Sequence, residues 1–285
     1  ELEKGMMTSI FEYAKVGRWT QPFPQHDTGT YPPANGQTYT GDMPVEEGGN
    51  MLTLAAEICR IEGNTNYVKP YWDLLKTWAD YLAENGQDPV NQLCTDDFAG
   101  HWAHNANLSA KAIMGVAAYG ILCKLDGRAQ DAEKYLATAK KMAEQWKKDA
   151  ADGDHYRLAF DRPDTWSQKY NLVWDKLWGL NMFDDVMEKE INYYLKKQNV
   201  YGLPLDCRKG YTKSDWILWT ACMAKDKETF KKFVSPVYKF YSETTSRVPM
   251  SDWFETEKPV WVSFRARSVI GGFWFKVLMD KNDNK

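Results

Sequence analysis

The residues of this chain that are best suited to chemistry are two pairs of adjacent carboxylates. Glu46 and Glu47 lie at the predicted start of a helix, and Asp96 and Asp97 lie in a loop. Adjacent acids repel each other unless they diverge, bind a cation or share a proton. A pair that shares a proton can supply both the general base and the general acid of a hydrolytic reaction. The sequence therefore predicts catalytic roles for these four carboxylates.

Each pair also has an ordinary structural explanation. Acidic side chains are favoured in the first turn of a helix, which accounts for one glutamate of the pair Glu46 and Glu47. It does not account for the second glutamate, nor for the Gly-Gly-Asn run that ends at Asn50, one turn beyond Glu46 on the same helix face. Asp96 and Asp97 are equally compatible with an Asx-type turn. The sequence leaves both explanations open.

A second set of polar and aromatic side chains is predicted to contact a substrate. Residues 201–216 place two carboxylates, the cations Arg208 and Lys213, and aromatic side chains just before an apolar helix, as loops that line polar-ligand sites often do. Helix capping explains some of these residues equally well. Lys111 enters an apolar helix and needs an anionic partner, for which Asp96 or Asp97 is the expected choice. The predicted substrate-binding residues are His26, Asp27, Asn50, Asn107, Lys111, Asp206, Arg208, Lys213, Asp215, Trp216 and Arg267.

Other chemistries and partners find little support in the sequence. There is no nucleophile-elbow, phosphate-loop or dinucleotide motif, and His101 and His104 with Asp97 lack a further strong metal ligand. A net charge of −3 offers no basic surface to nucleic acid. The longest apolar run, residues 112–123, is shorter than the ~20 residues that a membrane span needs. We therefore predict no metal, no other cofactor, no nucleic-acid partner and no membrane span.

The composition points to a small polar substrate, either an amino acid or a sugar. The chain of 285 residues contains 13 Trp and 16 Tyr, whose flat apolar faces and polar groups suit such ligands, although they also build protein cores. The five cysteines are widely spaced and odd in number, so a disulfide framework is not expected. The chain begins at Glu1 close to a helical pattern, with no visible signal peptide. We interpret it as part of a longer polypeptide, whose remainder would be its partner.

Helical periodicity dominates, and the helices come in pairs joined by short polar turns. In several pairs a strongly apolar helix precedes a more amphipathic one, and long loops at residues 17–43 and 87–104 separate pairs. Residues 259–263 are the only fair strand candidate. The predicted helices cover residues 6–14, 46–62, 67–85, 107–125, 130–149, 166–180, 184–198, 214–225, 227–242 and 264–279.

Helical hairpins with an inner and an outer layer favour an all-α fold, namely an (α/α) toroid whose long loops gather at one end and line a central pocket. A right-handed solenoid or an irregular bundle fits the periodicity nearly as well. The long loops favour the toroid, because solenoids tend to have short, uniform connections. These loops are also too aromatic to be disordered. We expect a single toroid domain over residues 1–285.

Six motifs of this chain recur in the same order in one known family, and by these motifs the chain resembles the glutaminase A family of fungi and bacteria. The resemblance runs from about residue 6 to residue 275. Gly48 and Ser268 depart slightly from the family pattern, and neither change removes a candidate acid. The motifs are FPQHDTGTYP at residues 23–32, MPVEEGGNM at 43–51, QLCTDDFAG at 92–100, NLSAK at 107–111, YGLPLDCR and YTKSDW at 201–208 and 211–216, and RSVIGG at 267–272.

The resemblance implies a six-hairpin, glycosidase-like helical domain, that is an (α/α)6 toroid, preceded in the full protein by β-rich domains. It also implies hydrolysis of L-glutamine to glutamate and ammonia, an activity named from fungal members. Many bacterial members are secreted, so we expect an extracellular or periplasmic location. Six hairpins need twelve helices and about ten are predicted. We therefore expect a further hairpin upstream of Glu1 and a toroid that is incomplete at its N-terminal end.

Three functions stay open. In an amidohydrolase, one of the four carboxylates would activate water and another would protonate the leaving ammonia, while Arg208, Lys213 or Arg267 would hold the carboxylate of the substrate. In a glycoside hydrolase, the same acids would act beside tryptophan platforms for sugar rings. A non-catalytic glycan-binding module would use the aromatic side chains without turnover.

Overall fold

The computed structural model of the chain describes residues 1–94 and 97–283, apart from the side chains of Asp97 and Asp283. The described residues are mostly helical and form two compact units, which divide between Trp146 and Lys147. The expectation of a single toroid domain stays a prediction. The helices of the first unit are α1 (Leu2–Lys15), α2 (Pro44–Glu62), α3 (Trp72–Asn85), α4 (Ala106–Leu125) and most of α5 (Ala129–Ala150).

Helix α4 forms the core of the first unit because nearly every position along it is apolar or small. Its residues 106–120 are all buried, and it packs most extensively on α2. Glycines permit this close approach, since a Cβ at Gly115 would lie 3.2 Å from the Cα of Gly49 on α2. The side chain of Asn105 caps α4 by accepting a hydrogen bond from the amide of Leu108. The start of α4 is therefore fixed next to the start of α2.

Helix α4 is also long and apolar enough to cross a membrane, the one such helix in the part of the chain that the structure describes. However, 83% of its most apolar window is buried inside the protein. Packing against α2 and α3 accounts for this apolar composition, as it does for the core helix of a folded domain.

The second unit combines helices with two short antiparallel strand pairs. Strand β1 (Ala151–Asp152) pairs with β2 (His155–Tyr156), and β3 (Tyr211–Lys213) pairs with β4 (Trp253–Glu255). A 3-10 helix, Ser268–Trp274, packs against α8 near the end of the chain. The α-helices of this unit are α6 (Val173–Trp178), α7 (Asp184–Lys197), α8 (Ser214–Cys222), α9 (Lys227–Glu243) and α10 (Phe275–Asp283).

Local contacts fix both ends of the turn between α8 and α9. Lys176 donates hydrogen bonds to the carbonyls of Cys222 and Ala224, at 3.0 and 2.5 Å, where α8 ends. Asp226 is the N-cap of α9, and its carboxylate accepts hydrogen bonds from the amide and the hydroxyl of Thr229. The two helices therefore form a defined hairpin whose first helix starts directly after β3.

The predicted all-α class is confirmed, and each of the ten predicted helices corresponds to an observed one. The strand predicted at residues 259–263 is wrong. Within that stretch only Trp261 forms an isolated bridge, to Phe254 of β4. The observed strands were missed because runs of two or three residues are too short to show a period of two. The last helix was predicted from residue 264, but a 3-10 helix occupies the chain from Ser268 before α10 begins.

The helix predicted over residues 166–180 is also shorter than expected. It starts as a 3-10 turn, Tyr170–Leu172, and is α-helical only from Val173. The reason lies in Gln168, a fully buried side chain whose Nε2 donates to the carbonyls of Leu203 and Pro204 at 3.2 and 3.0 Å. These bonds tie the preceding backbone to the following loop and keep it out of the helix.

Candidate functional site

The candidate catalytic carboxylates of the first unit lie in the first turn of α2. Pro44 occupies the first helical position, and Glu46 and Glu47 follow it. The amide of Val45 donates a hydrogen bond to Gln92 Oε1 at 3.0 Å, so a side chain from a distant loop caps the helix. The two glutamates lie in the first turn of α2, where acidic side chains are common.

Lys111 and Asn50 connect these carboxylates. The Nζ of Lys111 lies 2.5 Å from Glu46 Oε1 and donates to Asn50 Oδ1 at 2.8 Å. The Nδ2 of Asn50 lies 3.4 Å from Glu46 Oε1 and 3.5 Å from Glu47 Oε2. The ion-pair partner of Lys111 is therefore Glu46, which corrects the expectation of a partner in the pair 96–97. The close packing of α4 on α2, which the sequence does not reveal, is the reason.

Glycines bring α2 and α4 close enough for this contact. A Cβ at Gly49 would lie 2.4 Å from Lys111 Cγ and 3.2 Å from the Lys111 carbonyl oxygen. A Cβ at Gly48 would lie 3.1 Å from the side chain of Leu82 on α3. Any larger residue at position 49 would therefore push the lysine away. The Glu-Glu-Gly-Gly-Asn run combines the carboxylates with the space that their lysine partner needs.

Glu47 differs from Glu46 in its access to solvent. Glu46 is only 1% exposed, whereas Glu47 is part-exposed. Burial, reinforced by the negative charge of Glu46, raises the pKa of Glu47 to about 7, although Lys111 and Asn50 oppose the shift. A carboxyl group with a pKa near neutrality can both accept and return a proton. Glu47 is therefore the carboxyl group of this cluster that is best placed for acid–base chemistry.

The other predicted residues near this cluster are less informative. Asn107 is buried on α4, one turn before Lys111 and on the same face. Asp96 lies outside the described residues. Asp97 begins a one-turn 3-10 helix, Asp97–Ala99, and its side chain also lies outside the described part. Catalytic roles for the two aspartates stay predictions.

His26 and Asp27 hold the first long loop together. Asp27 Oδ1 accepts hydrogen bonds from the amides of Gly29 and Thr38, at 2.8 and 2.9 Å. Its Oδ2 accepts one from the amide of Tyr39 and lies 3.1 Å from His26 Nδ1. Burial opposes ionisation of Asp27, but these hydrogen bonds outweigh it and hold its pKa well below the usual range. The pair has a clear structural role, and its contact with substrate stays a prediction.

The second unit contains a different charge cluster, in which Lys213 lies between two aspartates. Its Nζ is 2.6 Å from Asp252 Oδ2 and 3.2 Å from Asp215 Oδ1. The Nη2 and Nε of Arg267 lie 2.5 and 3.2 Å from the two oxygens of Asp252. The lysine and both aspartates are at most 2% exposed. Two cations therefore face two carboxylates at the junction of β3, β4 and α8.

Asp252 was not predicted from the sequence, although a signal for it exists. The tripeptide Ser-Asp-Trp at residues 214–216 recurs at residues 251–253. The β3–β4 pairing brings the two copies together, with Lys213 opposite Trp253, and the amide of Ser214 donates to the Asp252 carbonyl at 2.9 Å. A repeated acidic tripeptide beside a lysine was thus the available clue.

The two aspartates of this cluster shift in opposite directions. Burial raises the pKa of Asp215 to about 6, with a further contribution from Asp252, while Lys213 opposes the shift. Burial acts in the same way on Asp252, but Arg267 and Lys213 outweigh it and lower the pKa of that carboxyl group. Gly272 closes the cluster, because a Cβ there would lie 3.0 Å from the Asp215 Cβ. The arrangement fastens several elements together.

Asp206 and Arg208 form a closed turn. The carboxylate of Asp206 accepts hydrogen bonds from the amide of Arg208 at 2.7 Å and from its Nε and Nη2 at 3.0 and 2.6 Å. Like Lys213 and Arg267, Arg208 thus faces a carboxylate within its own unit. The expectation that one of these three cations holds a substrate carboxylate stays a prediction, and their charges are already compensated.

Trp216 belongs to an aromatic cluster at the start of α8. Its ring stacks on Tyr170, with centroids 4.1 Å apart and planes 4° apart. Trp219, which the sequence did not single out, meets Trp216 edge-on at 5.1 Å. Tyr170 is buried, whereas both tryptophans are part-exposed. Part of each indole can therefore contact a ligand.

Within residues 1–94 and 97–283, no group of three or more His, Cys, Asp or Glu side chains could hold a metal ion. That the chain uses no metal and no other cofactor stays a prediction.

The chain matches the glutaminase A six helical-hairpin domain over residues 1–277. It is 32% identical to glutaminase A of Aspergillus oryzae over 283 aligned positions, and the match covers 95% of this chain and 41% of that protein. It is 29% identical to a probable glutaminase of Arthroderma benhamiae over 252 aligned positions, and this match covers 76% of this chain and 29% of that protein. The chain thus spans less than half the length of these relatives. The match over nearly every residue confirms the resemblance and the six-hairpin all-α fold, and the chain belongs to the glutaminase A six helical-hairpin family.

Proposed function

We propose that this chain supplies the acid–base group of a glutaminase-like amidohydrolase that converts L-glutamine to glutamate and ammonia. The names of both relatives support the reaction class. The observation that carries the proposal is the contrast between two adjacent glutamates. Glu46 is buried and paired with Lys111, whereas Glu47 is part-exposed and has a pKa of about 7.

In the proposed mechanism Glu47 acts twice. As a carboxylate it takes a proton from the water that attacks the carboxamide carbon of the substrate, and a C–O bond forms. The protonated Glu47 then returns this proton to the amide nitrogen, the C–N bond breaks and ammonia leaves. One carboxamide and one water give one carboxylic acid and one ammonia, and the carboxylate of Glu47 is regenerated.

The neighbours of Glu47 set its proton affinity without reacting themselves. Burial raises the pKa of Glu47, the negative charge of Glu46 adds to the rise, and the positive charge of Lys111 limits it. Asn50 contacts both carboxylates through Nδ2 and the lysine through Oδ1, so it fixes the geometry of the group. Lys111 is 5% exposed and acts through Glu46 rather than by contact with substrate.

A glycoside hydrolase is the second candidate function, and the part-exposed indoles of Trp216 and Trp219 favour it. Such rings are common platforms for sugars, and paired carboxylates are also the groups that cleave glycosidic bonds. A glycan-binding module without turnover would use the same indoles and would not need a carboxyl group that titrates near neutrality.

One assay separates these candidates. The whole protein is given L-glutamine and, in parallel, a panel of aryl glycosides, and release of ammonia and of the aryl group is measured. We expect ammonia from glutamine, and a loss of about 10²–10⁴-fold in kcat/KM for Glu47→Gln, the usual contribution of a general acid–base group. The matched control is Glu62→Gln at the other end of α2, which should keep the wild-type rate. Glycoside cleavage without ammonia release would contradict the amidohydrolase function and support the second candidate, a glycoside hydrolase.

A further inference from the structure

The segment after β4 carries an arginine that the proposed mechanism does not use. The guanidinium carbon of Arg265 lies 3.6 Å from the ring centroid of Trp261, so the indole covers one side of the cation. The Arg265 side chain is half-buried. Among the residues that the structure describes, no carboxylate lies within ion-pair distance of Arg265, and no acceptor bonds its buried Nε.

This arginine differs from most others in the second unit. The neighbouring Arg267 is occupied by Asp252, and three further arginines also have a carboxylate partner at 3.9 Å or less. Arg247 has no acidic partner among the described side chains, but it is exposed and donates a hydrogen bond to the carbonyl of Thr244. Arg265 thus combines partial burial with an uncompensated charge. The three further arginines are Arg157, Arg162 and Arg208.

The backbone around Arg265 is fixed at both ends. The amide of Val262 donates to the carbonyl of Trp253, and the amide of Ala266 donates to the carbonyl of Met250, each at 2.9 Å. Ala266 has a φ of 54°, a left-handed conformation that is unfavourable for residues other than glycine. The segment therefore holds Arg265 in place even though its own conformation is unfavourable at one residue.

We propose that Arg265, held against Trp261, binds the α-carboxylate of an amino-acid ligand; this choice of ligand rests on the proposed function. A guanidinium group is planar and matches the two oxygens of a carboxylate in a bidentate pair. Stacking on the indole fixes that plane before the ligand arrives, so little rotamer freedom is lost on binding. One uncompensated cation fits a singly charged oxyanion, since the nearby charge of Arg267 is already neutralised.

The test measures binding rather than turnover. Calorimetric titration of the whole protein with L-glutamate is compared with titration with L-isoglutamine, in which only the α-carboxylate has become a carboxamide. We expect the wild-type protein to prefer L-glutamate by about 10- to 100-fold, the effect of one charge-assisted bidentate contact. Arg265→Gln should abolish the preference. Arg265→Lys keeps the charge without the planar fork and should reduce the preference several-fold.

Matched controls make each outcome decisive. Arg18→Gln removes another arginine that lies over an aromatic ring, that of Tyr13, and should leave the preference unchanged. Inorganic phosphate is the third ligand. The proposal is overturned if wild-type protein shows no preference for the α-carboxylate, if the preference survives in Arg265→Gln, or if Arg265 proves necessary for phosphate alone. If the wild-type protein prefers L-glutamate over L-isoglutamine but releases no ammonia from glutamine, the proposed function is contradicted and the carboxylate-binding role of Arg265 is retained.

Discussion

Each unit of the molecule buries a lysine among carboxylates, but the two clusters are built differently. In the first unit Lys111 contacts the buried Glu46, and the adjacent Glu47 is part-exposed. In the second unit Lys213, helped by an arginine, lies between Asp215 and Asp252, which are both buried. The first cluster has more carboxylates than cations and a part-exposed carboxyl group, whereas the second has equal numbers of each and both of its carboxylates are buried.

Under the proposed function, this difference separates a reactive cluster from a structural one. A buried carboxylate whose charge is compensated has no proton to exchange with a ligand, and it mainly selects one arrangement of the elements around it. A carboxyl group with a raised pKa and access to solvent can exchange protons. A perturbed pKa alone does not identify the reactive group, because Asp215 is shifted to about 6 and is closed off from solvent.

The largest effect on stability should come from the second cluster. Lys213→Met would leave Asp215 and Asp252 buried without their shared lysine, and loss of one partner from a buried ion pair costs about 3–5 kcal/mol. Urea denaturation should show this loss of unfolding free energy. Lys239→Met, which breaks a surface pair with Glu243, is the control and should cost far less, because solvent screens exposed ion pairs. Equal losses of unfolding free energy in the two variants would contradict a structural role for the second cluster.

The first cluster should depend on the small size of Gly49. In Gly49→Ala the added Cβ would meet Lys111 Cγ at 2.4 Å, and such overpacking costs about 1–3 kcal/mol. Gly5→Ala in α1 is the control, because no atom lies within 4 Å of a Cβ there and the higher helix propensity of Ala should stabilise by up to about 1 kcal/mol. Thermal unfolding measures both. A Gly49→Ala variant as stable as the wild type would mean that the two helices are free to separate.

A smaller, pH-dependent effect should distinguish Glu47. Its pKa is raised from 4.5 to about 7 in the folded protein, so the folded state binds more protons than the unfolded state between these values. The unfolding free energy should therefore fall as pH rises from about 4.5 to about 7, and stay level above. We expect a decline of about 1–2 kcal/mol, reduced by partial exposure, that is missing in Glu47→Gln. Asp215 contributes the same pH dependence to the wild type and to Glu47→Gln, so its contribution cancels when the two stability curves are subtracted. A difference curve without this decline would contradict the pKa assigned to Glu47.

The smallest effect concerns the loop that Asp27 organises. In Asp27→Asn one carboxylate oxygen becomes an NH2 group that cannot accept a hydrogen bond, and the remaining oxygen loses its negative charge; charge-assisted hydrogen bonds are about twice as strong as neutral ones. Hydrogen exchange at the amides of Thr38 and Tyr39 should become about 2- to 5-fold faster, which corresponds to about 0.5–1 kcal/mol. Asp42→Asn, which removes the charge from the group that accepts a hydrogen bond from the Gln37 side chain, should leave both amides unchanged. Unchanged exchange rates in Asp27→Asn would contradict the structural role of His26 and Asp27 in this loop.

Much of the first cluster could be predicted because it depends on spacing along one helix. Residues four apart share a helix face, so Glu46 and Asn50 could be placed together from the sequence alone. The partner of Lys111 could not, since it depends on how closely two helices approach at Gly49. The long helices were predicted because their periodicity spans several turns, and their ends agree with the structure to within a few residues in most cases.

The second cluster was harder to predict because it is assembled by strand pairing. Asp252 reaches Lys213 only because β4 pairs with β3, and both strands are three residues long. Arg265 was missed for a related reason, since its stacking on Trp261 depends on the irregular backbone that follows β4. Short strands and irregular segments carry little periodic signal, so sequence patterns identify their residues without showing their partners.

Under the proposed function the first cluster reacts and the second only stabilises the fold. Ammonia release from L-glutamine by the whole protein, measured for Glu47→Gln beside Asp215→Asn, distinguishes these two roles. We expect Glu47→Gln to lose at least about 100-fold in kcat/KM with an unfolding temperature no lower than that of the wild type. Asp215→Asn should change the unfolding temperature and keep the rate within about 10-fold. Loss of turnover in a folded Asp215→Asn variant, with Glu47→Gln as active as the wild type, would contradict the account.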